Sequence, residues 1–413
     1  MTLAMNVLFA ALLVAADVPA PAPASAPVPG SQLTVSMLTF GPGDHPFFKF
    51  GHNAIWIRDK QAQTDKVYNF GTFYFDSPLL IPKFLKGLLP YWLSVDPLGL
   101  TISLYRQENR TVDAQELALT NEEKLELQRA LELNALPENR VYRYDYYMDN
   151  CSTRVRDAID RVIGGALRAT ATAPVGETFR SHTRRLTQDD LPEYLALDIV
   201  MGDFIDKPIT LWEEQFLPIK VYEGVQRVVL HRPEGDVPLV KSQRALALAP
   251  GRAPPPAAAP KWHVWFFLTG VIAAAVWAAS GRFHDRRAGR FGLGLGLGLG
   301  GIFGLLGCIF MMFWVATDHR VAHHNENIMQ CAPFAVVLLG LMRGVRRRSH
   351  AKMDRALKIA IGSVALSVIG LCAKVLPMAD QVNGEWICFF LPYWIGITLG
   401  LFFALSARQR SGA

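Results

Sequence analysis

Five strongly apolar stretches crowd the C-terminal part of this 413-residue chain, at roughly 262–280, 291–316, 328–342, 356–378 and 386–406. A helix of about 20 apolar residues crosses the hydrocarbon layer of a bilayer, so the pattern predicts an all-α bundle of five transmembrane helices. The third stretch is the shortest and has Gln330 and Pro333 near its start. Basic residues in short loops stay on the cytoplasmic side. They cluster in the first inter-helix loop (Arg282, Arg286, Arg287, Arg290), in the third (Arg343, Arg346, Arg347, Arg348, Lys352, Arg355) and in the tail (Arg408, Arg410). The second loop, 317–327, has only Arg320 against Asp318 and Glu326, and the fourth, 379–385, has neither Lys nor Arg. An odd number of spans with the tail inside places residues 31–261 outside. Much of the net charge of +6 sits in these loops, so it marks membrane topology and not a nucleic-acid surface.

Residues 31 to about 245 mix charged, aromatic and aliphatic side chains as a water-soluble domain does, over a length sufficient for a core of its own. Pro/Ala-rich segments bracket them, at 18–30 and 249–260, and such segments act as spacers. The apolar run Val7–Ala16, followed by small residues, is expected to be a signal peptide, although no Lys or Arg precedes it. The expected organisation is therefore signal and spacer over 1–30, an exported domain over 31–248, a linker over 249–261 and a membrane domain over 262–413.

Of five cysteines, only Cys151 lies in the exported domain. A single exported cysteine cannot close an internal disulfide, so it is either an inert core residue or there for its chemistry. The run from Tyr144 to Arg154 reads as a strand, a tight turn and a helix start, with Asp149 or Asn150 as N-cap, Val155, Ile159 and Val162 at helical spacing, and Gly164-Gly165 as the stop. A thiol in the first turn of a helix meets unpaired N–H groups and the positive end of the helix dipole, which favour thiolate and can hold an oxyanion.

A thiol nucleophile in acyl transfer needs an imidazole to move the proton. The candidates are His45, His52, His182 and His231. His52 opens the β-rich segment His52-Asn53-Ala54-Ile55-Trp56-Ile57 after a turn-like Gly-Pro-Gly-Asp, and a hairpin partner over 66–71 brings Asn69 near enough to orient its ring. Taken alone, a strand histidine is more often structural than catalytic.

Gly51-His52, Tyr68-Asn69-Phe70-Gly71, Asn109-Arg110, Tyr142 through Tyr146, Asp149-Asn150-Cys151-Ser152-Thr153-Arg154 and Phe216-Leu217-Pro218 together resemble the periplasmic domain of the Lnb-type lipoprotein N-acyltransferases. Asn325-Glu326-Asn327 resembles that family's membrane part. The resemblance implies an α+β, circularly permuted papain-like fold of the NlpC/P60 kind, with Cys151 as nucleophile and His52 as base. Asn69 as third member follows from strand pairing, and Asn150, Ser152 and Asn53 are candidate oxyanion or supporting groups. Arg110 and Arg154 either bind a lipid phosphate or pair with Glu108 and Asp157. The implied partners are a phospholipid acyl donor, a lipoprotein acceptor and the membrane, with no nucleic acid, no cofactor and no metal. The implied location is the bacterial inner membrane, with the soluble domain in the periplasm.

Phe73–Leu93, aromatic and apolar, is expected either to touch the bilayer, to line an acyl groove or to be core. Asp318, His319, His323 and His324 have metal-like spacing but lack an evident fourth ligand, and interfacial histidines explain that loop as well. The Gly-Leu run 292–300 suits close helix packing in lipid. Two other functions compete. An exported cysteine hydrolase, a cell-wall peptidase, amidase or lipase, would not need five spans. A binding module coupled to the helices as sensor or transporter is disfavoured by the near absence of intramembrane charge beyond Lys374.

Overall fold

The computed structural model describes residues 28–73 and 89–411. The expected signal peptide and most of the Phe73–Leu93 stretch lie outside them. The exported part is built on a seven-stranded sheet of β1 (Leu33–Phe40), β2 (His52–Asp59), β3 (Thr64–Thr72), β4 (Pro90–Pro97), β5 (Val112–Leu117), β6 (Val141–Arg143) and β7 (Val240–Ala247), in the order β7-β5-β1-β2-β3-β4-β6. Every pairing is antiparallel. Its longer helices are α1 (Leu98–Gln107), α2 (Asn121–Ala135), α3 (Cys151–Val162), α4 (Phe179–Thr187), α5 (Leu191–Val200) and α6 (Pro218–Arg227).

Side chains alternate across a strand, and here both faces are covered. Leu33, Val35, Met37, Ile55, Ile57 and Tyr68 pack with Val155 and Ile159 of α3, Leu127 and Leu131 of α2, and Val221 and Val225 of α6. On the other face Leu38, Phe40, Ala54, Trp56 and Val67 pack with Ile102 and Tyr105 of α1. His52 shares the parity of Ala54 and Trp56, and its ring lies 5.4 Å from that of Phe40.

Beyond the sheet come α7 (His263–Arg282), α8 (Arg287–Ala316), α9 (Leu338–Arg346), α10 (His350–Ala373) and α11 (Gly384–Ser411). Four of these, α7, α8, α10 and α11, are long and apolar enough to cross a membrane. The third expected span, 328–342, is not one straight helix. Single 3-10 turns at Glu326–Met329 and Pro333–Val337 precede α9, and the pair of segments Arg320–Met329 and Pro333–Arg346 is bent by 70°. Pro333 cannot donate to a preceding turn, and buried Gln330 takes partners elsewhere: its side chain accepts from Ser367 and its carbonyl accepts from Trp394 Nε1 at 2.9 Å. The broken segment fits against α8 because glycines face it. A Cβ at Gly304 would come within 2.2 Å of the Val336 nitrogen, and one at Gly307 within 1.7 Å of the Cys331 carbonyl oxygen.

The two parts are joined through buried polar groups. Asn325 Nδ2 donates to the carbonyls of Ile199 and Val200 at 2.8 Å, and Asn327 Nδ2 to Ile199 at 3.0 Å. These carbonyls end α5 and have no partner within the helix. Asp198 accepts from Arg180, from Arg184 and from Trp386 Nε1 at 2.9, 2.7 and 2.9 Å, and Tyr194 donates to Glu385 at 2.9 Å.

Candidate active site

Cys151 is the first residue of α3 and is 8 % exposed. The turn before it is held tightly. Asp145 and Asp149 exchange backbone hydrogen bonds of 3.1 and 3.2 Å, and Asp145 Oδ1 accepts from the N–H groups of Tyr147 and Met148. Asn150 is the N-cap. Its Oδ1 accepts from the N–H groups of Ser152 and Thr153 at 2.9 Å, while its Nδ2 donates to the carbonyls of Tyr146 and Phe216 at 2.9 Å. The cap thus uses two of the first-turn N–H groups that a helix-start oxyanion site would call on, and it does not engage the N–H of Cys151 itself.

On the sheet side, His52 and the backbone of Asn53 stand beside the Cys151 sulfur, close enough to act on its ionisation. His52 Nε2 lies 3.3 Å from Asn69 Oδ1. Behind Asn69 the line continues through a residue that sequence reasoning missed: Asn69 Nδ2 donates to Asp96 Oδ2 at 3.1 Å, and Ser94 Oγ donates to the same oxygen at 2.8 Å. Strand register accounts for the row, since Asn69 faces Ser94 and Val67 faces Asp96. A bulge follows Asn69 in β3. There Gly71 has φ +86°, and a Cβ on it would lie 3.1 Å from the Tyr144 ring and 3.5 Å from Cys151 Cβ. Only glycine adopts this backbone without strain.

Burial alone would push the thiol up, but the His52 imidazole beside it, with hydrogen bonds from His52, the Asn53 N–H and Ser152, brings its pKa down from 9.0 to about 7. The Tyr144 hydroxyl points at the sulfur from 3.9 Å. Burial first, then the neighbouring Cys151, raise the Tyr144 pKa well above its ordinary value, so it stays a donor. It is the second group that sequence reasoning missed, although it sits inside the Tyr142–Tyr146 run.

Ser152 is fully buried, its hydroxyl 3.9 Å from the sulfur. The Asn53 side chain turns away and donates to Thr39 Oγ1 at 2.9 Å, so only its backbone faces the thiol. Arg110 is 1 % exposed, pairs with Glu108 at 3.1 Å and stacks over Tyr105 at 4.5 Å, behind the ring that lines His52. Arg154 forks Asp149 at 2.6 and 2.7 Å, not Asp157, and lies 3.5 Å over the Tyr142 ring. Among the described residues no group of three or more His, Cys, Asp or Glu converges as metal ligands do. Asp318 pairs with Arg143 at 3.0 Å, and His323 bonds the Thr317 carbonyl at 3.1 Å.

A ladder of aromatic rings leads from the thiol to the membrane part. Tyr144 stacks on Tyr91 at 4.4 Å and meets Tyr146 edge-on at 5.9 Å, and Tyr146 stacks on His319 of the outward loop at 6.5 Å. The site therefore stands beside the outward ends of α8 and of the broken segment. Residues 22–185 match the family model described as the Lnb N-terminal periplasmic domain, and residues 259–382 match the Lnb transmembrane domain. The chain belongs to the Lnb family. It is accordingly a membrane protein with a periplasmic domain, and the Cys151 site falls within the part that matches the Lnb periplasmic model. No curated protein and no solved structure matches the chain.

Proposed function

We propose that this Lnb-family protein is a thiol acyltransferase of the bacterial inner membrane, moving an acyl chain from a phospholipid, through a thioester on Cys151, to the N-terminal amine of a lipoprotein. The observation that carries the reading is the line Cys151–His52–Asn69, in which an otherwise raised thiol pKa is brought to about 7. The kinship with permuted papain-like enzymes belongs to the same reading: a helix-start cysteine meets a histidine at the start of a strand that precedes it in sequence.

The Cys151 thiolate attacks the ester carbonyl of the donor. The oxyanion that forms is stabilised by the Cys151 N–H and the Tyr144 hydroxyl, donors aimed where the charge develops. The C–O bond breaks, the protonated His52 gives its proton to the leaving alkoxide, and lysophospholipid departs. The lipoprotein's amine then attacks the thioester and passes a proton to neutral His52, and the C–S bond breaks to return thiolate and leave an amide. Asn69 Oδ1 accepts from His52 Nε2–H, which leaves Nδ1 to exchange protons with the thiol. Asp96 is a positioning residue. A carboxylate only accepts, so it fixes the Asn69 NH₂ toward itself and the amide oxygen toward His52. The aromatic ladder from Tyr144 to His319 supports a substrate that arrives from the membrane plane.

Mass spectrometry of lipoproteins from cells carrying wild type or Cys151→Ala tests the reading. Wild type is expected to add one amide-linked acyl chain that the variant does not. Identical lipoproteins from both would overturn it.

A further inference from the structure

We infer that the cytoplasmic face of the membrane domain carries a binding site for the phosphate headgroup of an anionic phospholipid, separate from the Cys151 site. Arg287, Arg290 and Phe291 at the start of α8 and Arg343, Arg346 and Arg347 at the end of α9 line one cavity of about 550 Å³. Topology requires basic residues on this side of the bilayer, but it does not require five guanidinium groups from two helices to line a single cavity.

Three features point to an anion. None of the five arginines forms an ion pair with a carboxylate among the described residues, and the remaining tail residues, 408–413, include no Asp or Glu. Secondly, α8 begins with no side-chain cap and no acidic residue in its first turn. Arg287 and Arg290 thus stand in the first turn, at the positive end of its dipole, an arrangement of like signs that a bound anion relieves. Thirdly, the stem of Arg346 lies across α8 where Gly294 leaves room: a Cβ there would come within 2.6 Å of Arg346 Cγ. That path carries the guanidinium to 5.5 Å from the Phe291 ring.

The surroundings fit a lipid. Phe291 is 58 % exposed, and Leu295, the next exposed apolar residue along α8, continues toward the bilayer centre. Acyl chains can lie along this face while the phosphodiester sits among the arginines, whose planar forks match phosphate oxygens.

The test uses the full-length protein in nanodiscs or detergent and reads bound lipid by native mass spectrometry, with phosphatidylglycerol and phosphatidylcholine as probes. Wild type should retain phosphatidylglycerol in preference to phosphatidylcholine. Neutralising Arg290, Arg346 and Arg347 to Gln should weaken retention by roughly fivefold per charge removed. Because those changes also alter the topology signal, Arg290→Lys with Arg346→Lys serves as the companion: it keeps charge and orientation but loses bidentate geometry, and should reduce the preference less than the Gln set does. Inorganic phosphate at millimolar concentration should fail to displace the lipid. Equal retention of both lipids by wild type, unchanged retention in the Gln variant of a correctly inserted protein, or displacement by free phosphate would each overturn the inference.

Discussion

One thiol, that of Cys151, ionises near neutrality although it is buried. Desolvation opposes the thiolate, and the imidazole of His52 outweighs it, bringing Cys151 from 9.0 to about 7. Since the depressed pKa belongs to the acid form's loss of a proton, thiolate fills in as pH rises through about 7 and is lost below it. His52→Ala should move the midpoint of Cys151 alkylation by iodoacetamide upward to 9.0 or beyond, since burial then acts without its main opponent. At pH 7 that cuts the thiolate fraction at least about fiftyfold. An unmoved midpoint would show that His52 does not set the thiol's ionisation. Asp96→Asn should slow turnover roughly 5- to 100-fold, the cost of leaving a half-buried hydrogen-bond chain mis-satisfied. Its signature is a changed pH profile with little change in thermal stability, whereas a merely structural Asp96 would give the reverse.

At the element scale, the helix start is where local chemistry is most legible in sequence. Asn150-Cys151-Ser152-Thr153 announces an N-cap followed by a first-turn thiol, and α3 begins at Cys151 with Asn150 making four side-chain hydrogen bonds. That same cap occupies two N–H groups expected to be free, which only the folded geometry reveals. Asn150→Ala should cost about 2–3 kcal/mol, more than the ~1 kcal/mol of an exposed cap, because the buried Phe216 carbonyl and the half-buried Tyr146 carbonyl also lose their donor. Thermal unfolding of the full-length protein checks this. His52 and Asn69 were legible as hairpin neighbours. Asp96 was not, since it lies 27 residues from Asn69 and meets it only through the register of β3 on β4. The third membrane segment was legible as apolar but not as bent: Gln330 and Pro333 break its helix, and Gln330 finds partners only when α10 and α11 pack around it.

At the scale of the whole molecule, alternation of arginine clusters sets orientation, and a polar interface then holds the periplasmic part against the outward loops. Asn325 and Asn327, singled out in sequence only by resemblance, acquire a physical role there as donors to the end of α5. A reporter enzyme fused after Gly281 should behave as cytoplasmic and one fused after Asp380 as periplasmic; the opposite pattern would put Cys151 in the cytoplasm. With the thiol placed beside the membrane, the central claim is that Cys151 carries an acyl group between donor and acceptor. Intact-mass analysis of the purified protein incubated with phospholipid alone tests it most directly. A hydroxylamine-labile adduct of fatty-acyl mass is expected, absent from Cys151→Ala and discharged by a lipopeptide with a free amine to give the N-acylated product. An adduct that water removes as fast as the amine does, with no N-acylated peptide, would contradict transfer in favour of hydrolysis, and no adduct at all would contradict the thioester itself.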